Sequence, residues 1–342
     1  MLTVAVLGAG SWGTAIAKLF ADRGHQVRLW SRREDVAREI TAAAENRAYL
    51  PGVHLPSTLM ATHRLDRALE GADAVYFVVP SHGLRQVVSD SVPFLPARGP
   101  IVSATKGIEH PSLLLMTQVL EDALPPALHS RICAIGGPSF AKEVAQNLPA
   151  ALCIAGKDAE LTRIAQEQLA GDRMRVYSTE DIIGVEVGGA LKNVMAIAAG
   201  AADGLGFGNN ARAALITRGL AEMARLAMHM GANPLTLAGL SGMGDLVLTC
   251  TGDLSRNRRV GLELARGRSL ADVLGEMTMV AEGVRTAKSA YALAKREGVD
   301  MPITTEVYLA LYEGKSAVDA VDSLMVFTVL SPRPQSGDSL AP

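Results

Sequence analysis

The sequence predicts an α/β fold, a mostly parallel sheet with a second, all-helical C-terminal domain. Three observations carry that prediction. Apolar, β-branched runs alternate with segments of helical period through the first half, the pattern of strands joined by crossover helices. The first of these runs opens into a Gly-x-Gly-x-x-Gly turn directly before a helical segment. After Thr179 the texture changes to long stretches rich in Ala, Leu, Met and Gly with helical period and no convincing strand.

In chain order, "LTVAVLG" reads as the first strand, "TAIAKLFADRG" as a helix that ends at Gly24, and "HQVRLW" as the second strand. "DAVYFVVP" and "PIVSATKG" are continuous apolar runs, as parallel strands buried on both faces require. "RICAIGGPSF" and "PAALCIAG" continue the series, with helices expected at about 82–91, 112–123 and 158–170. The first domain is placed at 1–178 and the helical domain at 179–330. The helical domain opens with "STEDIIGVEVGG", a Ser/Thr-x-x-Asp pattern that fits a helix start with acids in its first turn. The tail 331–342, "SPRPQSGDSLAP", is rich in Pro and Ser and is expected to be disordered.

Composition narrows the function. The 342 residues are 49% hydrophobic, and 33 Lys plus Arg balance 35 Asp plus Glu. No net basic field favours nucleic acid, so any phosphate recognition must be local. Cys133, Cys153 and Cys250 are far apart and form no CxxC pair, which argues for buried thiols in a cytoplasmic protein. The N-terminus lacks the basic flank of a signal peptide. The apolar run after Asn193 reaches only Ala202, short of the ~20 residues that span a bilayer, so no integral membrane segment is expected. No His pair has metal-ligand spacing, and no metal is expected.

The glycine-rich turn supplies the first functional site. Gly8 permits the tight turn, Gly10 lets the backbone approach a pyrophosphate, and Gly13 allows helix and strand to pack closely. Free N–H groups around Ser11 and Trp12 would receive the phosphates of a dinucleotide, which makes the sheet Rossmann-like. Its second strand runs into "LWSRRED", with Arg32 and Arg33 where an acid usually binds the ribose of NAD. A guanidinium suits a 2′-phosphate, so NADP is the preferred cofactor, and Glu34 keeps NAD open.

"GGALKNVMAIAAG" sets one lysine, Lys192, among small and apolar residues, where an unpartnered ammonium is costly. On a helix its same-face neighbours include Gly188 and Gly189, which leave room for a ligand. Glu186, about 120° round the helix, is no partner for it. Asp245, in "LSGMGDLVLTCTGDLSRNRRVG", is the candidate partner that holds and tunes Lys192. That stretch reads as loop-rich, and its Ser255, Arg256 and Asn257 at a helix start form a plausible receptor for a small phosphate. Lys106 in "SATKG" and Ser139 in "IGGPSFA" follow strands, and the carboxyl ends of strands face the same cleft.

The ordered series "GAGSWGTA", "NRAYLPG", "SATKG", "GGPSFA", "GGALKNVMAIAAG", "GLGFGNNARAALITRG", "SGMGDLVLTC" and "SRNRRVG" resembles bacterial NAD(P)-dependent sn-glycerol-3-phosphate dehydrogenases over about residues 2–330. The resemblance implies reversible hydride transfer between NAD(P)H and dihydroxyacetone phosphate, giving sn-glycerol 3-phosphate for phospholipid synthesis. It implies Lys192 as catalytic proton acceptor, with Lys106, Gly137, Ser139, Asp245, Ser255, Arg256 and Asn257 at the substrate. Lys106, Ala141, Arg256, Val280 and Glu282 are implied beside the cofactor. A small phosphate-bearing substrate is thus expected. A homodimer is expected too, with the Ala- and Gly-rich faces of the helical domain as a candidate interface. The competing readings are a 3-hydroxyacid or ketopantoate-type dehydrogenase, which shares the helix lysine, and a non-catalytic NADP-binding sensor with a protein partner.

Overall fold

In the computed structural model, which describes residues 1–327, the chain forms an eight-stranded sheet flanked by helices and a separate helical layer. The first part runs β1 (Thr3–Leu7), α1 (Ser11–Ala21), β2 (Gln26–Trp30), α2 (Glu34–Ala43), the hairpin β3 (Glu45–Asn46) and β4 (Leu50–His54), β5 (Leu59–Thr62), α3 (Leu65–Leu69), β6 (Ala74–Phe77) and α4 (Leu84–Ser91). It continues with β7 (Ile101–Ser103), α5 (Met116–Ala123), β8 (Ile132–Gly136), α6 (Ala141–Ala145), β9 (Ala150–Gly156), α7 (Ala159–Leu169) and β10 (Met174–Thr179). The strand order is β10-β9-β8-β7-β6-β1-β2-β5. Every pair is parallel except β8–β9, so "PAALCIAG" lies antiparallel to its neighbour. The helix expected from residue 112 begins at Met116, because Ile108 and Leu115 bridge and hold the intervening residues in a loop.

The second part is helical: α8 (Ile182–Gly204), α9 (Gly208–His229), α10 (Pro234–Ala238), a π-helical turn at Leu240–Gly244, α11 (Asp245–Thr251), α12 (Arg256–Ala265), α13 (Leu270–Gly275), α14 (Glu282–Glu297), α15 (Pro302–Tyr312) and α16 (Ala317–Phe327). The expected loop-rich stretch after Leu240 is therefore mostly helix. Helix α8 starts later than "STED" suggests. Ser178 and Thr179 complete β10, and Asp181 caps the helix by accepting from the Gly184 N–H at 2.8 Å. The tail 331–342 lies outside the described residues.

Helix α8 is the axis of this layer. Its length and apolarity would suffice for a membrane span, which counting from Asn193 alone underestimates, but 89% of its apolar window is buried inside the fold. Glycines let neighbours reach its backbone. A Cβ on Gly261 of α12 would sit 1.9 Å from the Ile197 carbonyl oxygen, and one on Gly200 would sit 1.9 Å from that of Arg258. The glycines of α8 and α12 are thus used for packing within the chain.

Gly261→Ala should force α8 and α12 apart and destabilise the protein by about 1–3 kcal/mol or more in urea unfolding. Gly275→Ala, whose new methyl would meet open space, should change stability by no more than about 0.5 kcal/mol.

Candidate active site

The turn after β1 is built by steric need. Gly8 has φ +128°, and a Cβ there would lie 2.3 Å from the Val78 carbonyl oxygen. A Cβ on Gly13 would lie 1.8 Å from the Gly8 carbonyl oxygen, so the start of α1 presses onto the turn itself. Gly10 meets nothing within 4 Å, and α1 has no side-chain cap. Unpaired N–H groups therefore face open space, the environment a pyrophosphate needs. The indole N–H of Trp12 is buried without a partner among the described residues, while the Ser11 hydroxyl lies 2.7 Å from the Tyr49 carbonyl oxygen and 2.8 Å from Met279 Sδ. These features fit a dinucleotide. Met279, reaching over from the helical layer, is a contact that no local sequence pattern announces.

The two arginines after β2 separate. Arg33 grips Asp35 through two hydrogen bonds, one of 3.1 Å, because it caps α2 and Asp35 lies in the first turn. Arg32 is exposed and has no carboxylate partner among the described residues. Glu34 is engaged by Arg38 at 2.9 Å.

Lys192 lies in α8 with 8% of its surface exposed and makes a close ion pair with Asp245 Oδ1. Asp245 is fully buried at the start of α11, where the π-helical turn aims it at α8. Its other oxygen takes Lys106 Nζ at 2.8 Å, and Lys106 also donates to the Gly137 carbonyl oxygen at 3.2 Å. Gly137 has φ +110°, a turn that only glycine adopts easily at the end of β8. Burial pushes the Lys192 pKa down to about 8; Asp245 opposes the shift and Lys106 reinforces it. The room expected beside Gly188 and Gly189 is taken by protein. The Ser241 backbone crosses Gly188, where a Cβ would come within 2.3 Å of its carbonyl oxygen, and the Lys106 stem runs alongside Gly189. Gly188 thus lets the π-helical turn close on Lys192.

An amide chain ties the neighbouring helices to this centre. Asn193 donates to the Gly189 carbonyl oxygen at 3.2 Å, Asn257 donates to Asn193 Oδ1 at 2.8 Å, and the Gly283 N–H donates to Asn257 Oδ1 at 2.9 Å. Ser255 caps α12, accepting from the Arg258 N–H at 3.2 Å. Arg256 follows at the first position of that helix with no hydrogen-bonded or paired carboxylate among the described residues. Crowding by the surrounding protein lowers its pKa, and the more distant Glu282 opposes this. Glu282 accepts from the Ser81 hydroxyl at 2.7 Å and the Ser81 N–H at 3.3 Å, joining α14 to the turn after β6. Ser139 donates to the Gly137 carbonyl oxygen at 3.1 Å, Ala141 starts α6 beside α1, and Val280 is 39% exposed without a polar role. The structure therefore gathers Lys106, Gly137, Lys192 and Asp245 in direct contact and brings Asn257, Arg256 and Glu282 around them. Asn193 and Ser81, which sequence reasoning passed over, are uncharged links whose signal lies only in their three-dimensional partners. Among the described residues no three His, Cys, Asp or Glu side chains form a metal cluster.

Comparison with known proteins agrees over both halves. The family model for NAD-dependent glycerol-3-phosphate dehydrogenase N-terminus matches residues 3–162, and the one for its C-terminus matches 181–322. A glycerol-3-phosphate dehydrogenase (NAD(P)+) from Citrifermentans bemidjiense is 53% identical over 322 residues, covering 94% of this chain and 96% of the relative. One from Myxococcus xanthus is 52% identical over 320 residues, covering 94% and 96%. The crystal structure of the Coxiella burnetii glycerol-3-phosphate dehydrogenase superposes with a TM-score of 0.90 at 42% identity, covering 95% of this chain and 98% of that one.

Asn257→Ala would strand the Asn193 amide and the Gly283 N–H in the interior. A loss of about 1–3 kcal/mol is expected in urea unfolding, since buried unsatisfied groups carry a desolvation penalty of that size.

Proposed function

Because the chain belongs to the NAD-dependent glycerol-3-phosphate dehydrogenase family, we infer that its cleft interconverts dihydroxyacetone phosphate and sn-glycerol 3-phosphate with NAD(P)H. The observation that carries the reading is Lys192, a buried ammonium held by Asp245 and flanked by Lys106. A nicotinamide cofactor held at the glycine-rich turn would supply or accept the hydride exchanged with C2 of the substrate. Protonated Lys192 donates to the oxygen on C2 during reduction, and neutral Lys192 removes the hydroxyl proton during oxidation. Lys106, held at Gly137, adds positive charge where that oxygen becomes negative. Arg256 and the α12 start with Ser255 and Asn257 receive the phosphate, while Ser139 and Gly137 bound the substrate from the sheet side. Such remote binding orients C2 for the transfer.

Gly8, Gly10, Ser11, Trp12 and Gly13 are assigned to the pyrophosphate, and Ala141, Val280, Glu282 and Lys106 to the rest of the cofactor. The unpaired Arg32 favours NADP over NAD, with Arg33 held in reserve by Asp35. The same reading includes a cofactor-binding half at 1–178 and a catalytic half from 179, a homodimer, a cytoplasmic location and a product destined for phospholipid synthesis. Oxidation of NADPH with dihydroxyacetone phosphate, but not with unphosphorylated dihydroxyacetone or ketopantoate, is the expected result. Turnover of ketopantoate instead would overturn the assignment.

Lys192→Ala should reduce kcat by at least about a thousandfold while NADPH binding, followed by fluorescence, stays within twofold. Normal turnover would remove the lysine from the chemistry. Arg256→Ala should raise KM for dihydroxyacetone phosphate by about tenfold or more, since a charge-assisted contact is lost. The pH profile follows from the lowered pKa. Glycerol 3-phosphate oxidation needs neutral Lys192 and should rise as pH passes through about 8, while reduction needs the ammonium and should fall over the same range. Asp245→Asn removes the charge that holds the pKa up, so its oxidative profile should move to lower pH.

A further inference from the structure

Three positively charged or protonatable side chains converge beyond the ends of β2 and β6. These strands flank β1 on either side, so Arg32 after β2 and His82 after β6 border the glycine-rich turn from opposite flanks. The third comes from the helical layer. Glu282 at the start of α14 is hydrogen-bonded to both the hydroxyl and the N–H of Ser81, and Arg285 lies three residues further on the same helix face. That bond brings Arg285 to the turn that carries His82. Partial desolvation by neighbouring residues lowers the His82 pKa, and positive charge from Arg285 and Arg32 adds to it, although the ring stays open to solvent.

None of the three has a carboxylate partner among the described residues, and all three are exposed. The acids nearby are occupied: Asp35 by Arg33, Glu34 by Arg38, and both Glu282 oxygens by Ser81. Adjacent cations without counter-ions repel one another and are relieved by an anion. The end of β2 is where the adenosine ribose of a dinucleotide lies, whereas its pyrophosphate belongs at α1.

We propose that Arg285 is a specificity residue for the cofactor, completing with Arg32 and His82 a site for the ribose 2′-phosphate that spans both layers. It rests on the NADP reading above and assigns the second guanidinium of that reading to α14 in place of Arg33. The 2′-phosphate would then be read partly by the helical layer, so that layer takes part in choosing the cofactor as well as the substrate.

Calorimetric titration of the full chain with 2′,5′-ADP and with 5′-AMP isolates this phosphate without turnover. Arg285→Gln should weaken 2′,5′-ADP by about tenfold, leave 5′-AMP within twofold, and be largely rescued by Arg285→Lys. Fluorescence titration with NADPH and NADH should give the same contrast on the whole cofactor. Equal weakening of both ligands, or unchanged 2′,5′-ADP affinity, would overturn the proposal. If Arg32→Gln is selective and Arg285→Gln is not, only Arg285 is excluded. If neither discriminates, the NADP reading falls as well.

Discussion

A carboxylate with no exposure to water holds the two halves of the molecule to one point. Asp245 takes Lys192 from α8 on one oxygen and Lys106 from the end of β7 on the other. Each of these charges would be expensive alone in the interior, and together they are tolerable because each has a partner. The arrangement leaves one more positive charge than negative in a confined space. That surplus suits a site whose substrate carries phosphate and whose reaction builds charge on oxygen.

Such closeness depends on backbone access. The π-helical turn that carries Asp245 can reach α8 only because Gly188 has no side chain, while the Lys106 stem passes Gly189 at ordinary van der Waals distance. The same device recurs further along α8, where Gly200 meets α12 and Gly261 of α12 reaches back. Asn193 and Asn257 then lock the register of α8, α12 and the start of α14. The geometry around Lys192 and the packing of the helices are here one problem, and the small residues of α8 serve both.

Much of this was legible in the sequence because the signals are local. Alternating runs mark the parallel strands, Gly8, Gly10 and Gly13 mark the turn, and Lys192 stands out as the one cation of an apolar stretch. The Lys192–Asp245 pair was accessible too, since a buried ammonium needs an acid and few acids lay in suitable company. What escaped was set by contacts distant in sequence. The antiparallel β9, the Glu282–Ser81 link and the approach of Met279 to Ser11 join segments that no periodicity connects. Gly188 and Gly189 read as room for a ligand, and only the packed chain reveals that the Ser241 backbone and the Lys106 stem occupy that room.

The long apolar helix has one more consequence, in biosynthesis. Before the fold closes around it, α8 has the length and character of a segment that membrane insertion machinery accepts. Lys192 stands near its midpoint, where a lysine opposes insertion by about 2.5–3.5 kcal/mol. The buried ammonium that Asp245 holds in the folded protein thus also works against insertion of the same helix while the chain is unfolded.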